Sequence, residues 1–271
     1  MSDKNPLIAR VRIPGQRFTL PSGGLFYKNG ELDDSVTNGE VEVQPITMTD
    51  DLVLKNPDKL LNGDGITEVI ARCVPQIKKP WDLLHKDVDF LVVALRIVSY
   101  GEHVEVSHVH DTCPVTYEKD GETLRHSRVY KANIRELMNK TKRIDPTTID
   151  TKFKIKLDND QEVSIKPMTF RAFVNVMNLQ LENEEDFDSE TLKKNILDML
   201  LDVILTVDEI SDRQMIHDWL IAAGPKIVGQ LNEEIARTFS WGTDMTIQTT
   251  CVDCEEKIEV AIPIDPLSFF S

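Results

Sequence analysis

Two short stretches, far apart in the chain, constrain its fold more than any other feature. Ser99-Tyr100-Gly101 is followed by Val104 and Val106 and then by His110-x-x-Cys113. Ser240-Trp241-Gly242 is followed by Met245 and Ile247 and then by Cys251-x-x-Cys254. The two align without a gap, Ser99 standing against Ser240 and Cys113 against Cys254. In each, apolar alternation marks a strand, and the strand runs into two side chains able to bind a metal. A tetrahedral structural zinc takes four soft or borderline ligands of this kind. His110, Cys113, Cys251 and Cys254 are therefore the candidate metal ligands. If one zinc takes all four, the fold must close the long stretch of chain that runs from Cys113 to Cys251.

Each pair alone is a weak signal. A cysteine pair beside a strand can stay empty, or can work as a thioredoxin-like dithiol. The redox reading fits poorly, because such a motif normally opens a helix, whose N-terminus lowers the thiol pKa. Here strands flank the pair. His108 competes with His110, since it lies on the same side of the strand. Cys73 falls in an expected helix with Ile66 and Ile70 and reads as a small buried apolar residue. Four protein ligands leave no open position for water or substrate, so a filled site is structural.

A second echo precedes the first. Glu40-Val41-Glu42-Val43-Gln44-Pro45-Ile46-Thr47 aligns with Glu162-Val163-Ser164-Ile165-Lys166-Pro167-Met168-Thr169, with four of eight positions identical. Each copy reads as a strand, a proline stop and a threonine-led helix. The expectation is an α+β fold, internally duplicated, built of hairpin, helical block and strand with a zinc knuckle. The division that follows is an N-terminal arm at 1–16, a first repeat unit at 17–138, a linker or surface crossing at 139–150 and a second unit at 151–271. The copies of the Ser-aromatic-Gly element stand further apart than the copies of the strand-proline element, so the second helical block is the longer one. The acidic loop 182–190 is the natural place for part of that insertion.

Local signals fill in the elements. Leu25-Phe26-Tyr27 and Glu40 to Val43 read as strands, the latter after the hairpin signal Asn38-Gly39. Thr47 or Thr49 caps a helix near Asp50. The run Phe90 to Leu95 could be a buried strand, but Asp87 and Asp89 before it and Arg96 after it favour a helix up to Val98. Val129, Tyr130 and Ile134 read as a returning strand. Lys152 to Lys166 is the clearest hairpin, turning at Asp158-Asn159-Asp160. From Thr169 to Phe239 the periodicity is helical, with Leu192, Ile196, Leu197, Leu200 and Ile204 on one face. Strands then bracket the CxxC.

Composition narrows the function. The net charge is −15, from 46 acidic and 31 basic side chains. A chain this acidic repels phosphate backbones, which opposes zinc-ribbon nucleic-acid binding. The N-terminus lacks the apolar core of a signal peptide, and no apolar run is long enough to span a bilayer. Four cysteines do not suggest a disulfide scaffold. Synthesis in the cytoplasm is expected, where thiols stay free for metal. Gly23-Gly24 lack the Lys-Ser/Thr partner of a phosphate loop. His85, His103, His126 and His217 have no spacing that selects them for catalysis. The chain reads as non-enzymatic, with no catalytic residues.

These residues also carry a family likeness. Leu20-Pro21-Ser22-Gly23-Gly24-Leu25-Phe26-Tyr27 resembles the LPS-x-G-x-x-Y opening of the T4-like tailed-phage baseplate protein family. Gly39 to Thr47, Asn56 to Leu60, Arg96-Ile97 with Tyr100-Gly101, and Cys251-x-x-Cys254 followed by Pro266 to Phe270 resemble its later features. The likeness implies a structural subunit of a contractile tail baseplate, in the hub region or its assembly, located in the virion. It implies other baseplate or tail proteins as partners, with self-association left open. A zinc-dependent assembly chaperone, absent from the finished particle, is the alternative. The N-terminal arm and Phe269-Phe270 are candidate docking ends; folding of the two aromatics back onto the core is the competing reading.

Overall fold

The computed structural model describes residues 13–119, 122–149, 153–181, 189–238, 240–264 and 269–270. Most of the N-terminal arm, the turn at Asp120-Gly121, most of the acidic loop and Pro266 to Ser268 lie outside the described residues. The architecture is α+β, with helices packed among small antiparallel sheets.

Strand β1 (Gln16–Thr19) pairs antiparallel with β2 (Glu40–Val43), placing Phe18 opposite Val41. The Asn38-Gly39 turn has both residues at positive φ, 52° and 69°. It does not close a two-residue hairpin, because the partner strand ends well upstream, at Thr19. Leu25 and Phe26 end a run of turns and Tyr27 is irregular, so the segment is not a strand. The reason is the loop's job: it crosses back over the Asn38-Gly39 turn. A Cβ on Gly39 would meet the Gly23 carbonyl carbon at 2.6 Å and the Gly24 nitrogen at 2.6 Å. Only glycine permits this approach at this φ.

Helix α1 (Met48–Leu54) starts at Thr47, which forms a capping box with Asp50. Short α2 (Pro57–Leu61) and α3 (Asp64–Cys73) lead to α4 (His85–Tyr100), the longest helix among the described residues. Every side chain of α4 from Phe90 to Val98 is buried. A helix apolar on all sides must be surrounded by other elements, and α4 is the axis of the first core.

Strands β3 (His103–Val109) and β6 (Ser127–Asn133) pair antiparallel, with the exposed hairpin β4 (Thr116–Lys119) and β5 (Glu122–Arg125) between them. Val104, Val106, Tyr130 and Ala132 point inward. Ile134 opens helix α5 (Ile134–Asn139) instead of ending the strand, because Asn133 accepts from the Arg135 and Glu136 amides and caps it. The segment 139–150 holds a 3₁₀ turn at Pro146–Thr148, and Ile144 is buried in the second core.

That core is built on β7 (Lys154–Lys156), β8 (Glu162–Ile165) and β9 (Ile204–Val207), in that order and antiparallel. Helices α6 (Phe170–Leu181), α7 (Ser189–Val203), α8 (Arg213–Ala222) and α9 (Pro225–Thr238) accompany it. Ile204, read as the last residue of a helix face, begins the third strand. Finally β10 (Thr246–Thr250) and β11 (Lys257–Ala261) form a hairpin. Their side chains Ile258 and Val260, with the flanking Met245 and Ile262, join the first core, not the second.

Phe269 and Phe270 fold back and are buried, at 4% and 2% exposure. Arg96, itself buried, donates from Nε to the Phe269 carbonyl at 2.8 Å and from its other nitrogens to the Gly101 and His103 carbonyls. The docking reading of these two aromatics is therefore corrected. Two aromatic rings buried together remove far more apolar area from water than exposure at a chain end would allow.

Candidate metal centre

The return of β10–β11 to the first core sets the ends of β3 and β10 side by side. His110 and Cys113 follow β3; Cys251 and Cys254 follow β10. One atom from each of these side chains lies within 4.8 Å of every other. Cys113 Sγ is 4.0 Å from Cys251 Sγ, and Cys254 Sγ is 3.4 Å from His110 Nδ1. With metal–sulfur bonds of about 2.3 Å and metal–nitrogen bonds of about 2.0 Å, the edges of a tetrahedral site are about 3.5–3.8 Å. The two measured separations straddle that range. The donor set of three thiols and one imidazole also suits zinc. These residues could hold one metal ion with no fifth position free. Among the described residues this is the one His/Cys/Asp/Glu cluster of that kind.

The backbone builds the two knuckles. The Cys113 amide donates to the His110 carbonyl at 3.0 Å, closing a turn over the first pair. In the second, the Glu255 amide donates to the Cys251 carbonyl, and the Cys251 amide donates to the Glu256 carbonyl at 2.8 Å. Glu255 takes φ 61° to make that turn. Gly101 and Gly242, which open the two strand segments, sit at φ 91° and 98°. The Ser-aromatic-Gly element is thus a positive-φ pivot in both places.

Amides aimed at sulfur shape the electrostatics. The Cys254 amide, against some desolvation and with help from the Asp253 amide and His110, pulls the Cys251 thiol down to about 6. Cys254 also receives the Glu256 amide, which lowers its pKa. Burial and the neighbouring Cys251 and Cys113 thiols outweigh that and push it up to about 11.

His108, the competing ligand, packs its ring edge-on to Tyr130 at 6.3 Å and is outside the cluster. Cys73 is buried, 3.8 Å from an Asp50 carboxylate oxygen, and its thiol is pushed up to about 12 mainly by burial. Such a thiol stays protonated and apolar. Among the other histidines, His85 is buried against Phe173 with its ring stacked at 5.1 Å, and burial lowers its pKa to about 4.

The sequence pattern does not single out the groups around the four. Arg128 on β6 makes a two-pronged ion pair with Asp253, at 2.9 and 2.6 Å, between the two cysteines of the CxxC. Thr112 and Glu256 flank His110. Their closeness in sequence to a ligand was the available signal, but ligand type alone does not select them.

The Leu20 to Tyr27 segment, which suggested a family, proves to be an anchor. The Ser22 amide, the Ser22 hydroxyl and the Tyr27 hydroxyl all donate to the buried Asp87 carboxylate on α4, at 3.0, 2.5 and 2.6 Å. Tyr27 Oη in turn accepts from the Leu84 amide at 2.9 Å. The Ser and Tyr of that motif are therefore the two side chains that satisfy one buried acid. The family model described as T4 bacteriophage base plate protein matches residues 17–220. The chain belongs to this baseplate protein family. Comparison with curated proteins and with solved structures gave no significant match. As a member of a baseplate family it is a protein of the phage tail that interacts with other tail proteins. Among the described residues, no helix is long and apolar enough to cross a membrane.

Proposed function

We propose that this baseplate protein is a non-enzymatic structural or assembly subunit of a contractile tail. In this reading it sits in the hub region, docks other tail proteins, and carries one structural zinc on His110, Cys113, Cys251 and Cys254. The observation that carries the reading is a cluster of four side chains able to hold one metal ion, inside a chain of the baseplate family. When bound, zinc supplies a cross-link between the ends of β3 and β10. The ligand geometry supports a fastening role, because a chemical role would require a vacant position.

The reading includes an ancestral duplication of the units 17–138 and 151–271, joined by 139–150 and preceded by the arm 1–16. Support comes from the two antiparallel strand pairs β1–β2 and β7–β8, each followed by a proline and a threonine at a helix start. The matched pivots at Gly101 and Gly242 add to it. The C-terminal knuckle packs into the core of the first unit, so the units interlock.

Quantitative mass spectrometry of finished phage particles and of tail intermediates tests the role. The expected result is a fixed copy number in the finished particle, with co-purification of other baseplate proteins. Presence in intermediates alone would support the chaperone alternative, and absence from both would overturn the proposal.

A further inference from the structure

We infer that Thr112 and Glu256 are positioning residues that hold His110 in the tautomer needed for binding metal through Nδ1; the inference rests on the metal reading above. A neutral imidazole has one N–H and one lone pair. In this site Nδ1 faces Cys254 Sγ at 3.4 Å, so Nδ1 is the nitrogen that meets the metal. Its lone pair is available there only when the proton is on Nε2. Nε2 lies 2.8 Å from Thr112 Oγ1 and 3.6 Å from Glu256 Oε2.

The two partners do different things. A threonine hydroxyl can donate or accept, so by itself it holds the ring plane without choosing a tautomer. An ionised carboxylate only accepts. Glu256 beside Nε2 therefore favours the Nε2–H form, with the threonine hydroxyl accepting that proton. A histidine ligand normally donates its second N–H in this way, which fixes the ring and raises ligand basicity.

The placement is built into the two knuckles. Thr112 sits inside the turn that the Cys113 amide closes onto the His110 carbonyl. Glu256 is fixed by its own backbone, whose carbonyl accepts from the Cys251 amide. Each knuckle thus contributes one of the groups that orient the histidine. The arrangement also accounts for an asymmetry. A thiolate such as Cys251 needs no tautomer selection, whereas His110 at the aligned position does. The residues aligned with Glu256 and Thr112 in the opposite knuckle are Val115 and Asp253, so neither partner is repeated there.

The test uses the full chain loaded with zinc and a chromogenic chelator as competitor. Glu256→Gln and Thr112→Val should each weaken zinc binding by about tenfold, the low end for such partners because Glu256 is largely exposed. Thr112→Ser should restore the affinity. Melting of the metal-free variants should match metal-free wild type. Long-range proton–nitrogen NMR of the zinc-loaded protein should show His110 protonated on Nε2 and coordinated through Nδ1. Coordination through Nε2, or wild-type affinity in both variants while wild type binds one zinc, would overturn this inference and leave the metal site standing. A wild-type chain that takes up no zinc would overturn both.

Discussion

Opening the metal staple should cost a large part of this protein's stability. Cys113→Ser removes one ligand, and a chelator removes the ion without changing the chain. Loss of the ion, by chelation or through the weakened three-ligand site, frees the loop between Cys113 and Cys251, whose ends are 138 positions apart in the chain. The chain-entropy relation for a cross-link over a loop of that length gives about 5 kcal/mol. Little other packing should be lost, because the Cys113 and Cys251 side chains belong to the buried first core whether or not the ion is bound. Total stabilities run about 5–15 kcal/mol. At about 2–4 °C per kcal/mol for chains somewhat shorter than this one, the melting midpoint should fall by roughly 10–20 °C. Circular dichroism melts of zinc-loaded protein, chelated protein and Cys113→Ser measure it, with bound zinc determined in parallel. Cys73→Ala, which removes a buried thiol outside the cluster, should keep one zinc per chain. A wild-type protein that holds one zinc yet loses less than about 2 °C on chelation, about a fifth of the smallest expected fall, would refute the reasoning. In that outcome the packing of β10–β11 in the first core would already close the loop.

Three further outcomes follow from the packing. Burial, opposed by the Ser22 and Tyr27 hydrogen bonds, raises the Asp87 carboxyl to about 6. Its contribution is therefore fully present below the unfolded value of 3.8 and is lost as pH rises through about 6. Urea unfolding should show the stability advantage of wild type over Asp87→Asn shrinking across that window by about 3 kcal/mol, at about 1.36 kcal/mol per pKa unit. A flat difference would sink the account. Phe270→Ala should cost about 3–5 kcal/mol by denaturant titration, since the ring is buried against Phe269 and Tyr100; a cost below about 1 kcal/mol would place the C-terminus elsewhere. Gly39→Ala should shift the denaturant midpoint more than any ordinary surface change, because its φ is 69° and its Cβ would strike the Gly23 backbone. A neutral substitution there would contradict the crossing of the two glycine turns.

Local rules were legible wherever one element decided its own conformation. The Thr47 cap, the β7–β8 hairpin and helix α4 all follow from spacing within one short stretch of chain. The misread segments are those where a distant partner decides. Leu25 to Tyr27 has strand composition, yet Tyr27 and Ser22 must both reach Asp87, which a straight strand would not permit. Ile204 continues the apolar period of α7, yet its backbone pairs with Ile165 across the sheet.

The metal centre divides in the same way. The sequence determined its chemistry: three thiols and an imidazole on two matched turns, each following a strand with a glycine pivot. It also determined that such a site, if filled, leaves no place for a substrate. Only the tertiary structure decided that the four side chains meet, that His110 rather than His108 is the histidine among them, and that Thr112 and Glu256 flank it. The physical reason is range. Backbone propensity and periodicity act over a few residues, whereas the approach of Cys113 to Cys251 depends on where β10–β11 buries Ile258 and Val260. That surface belongs to a core assembled mainly from the other end of the chain.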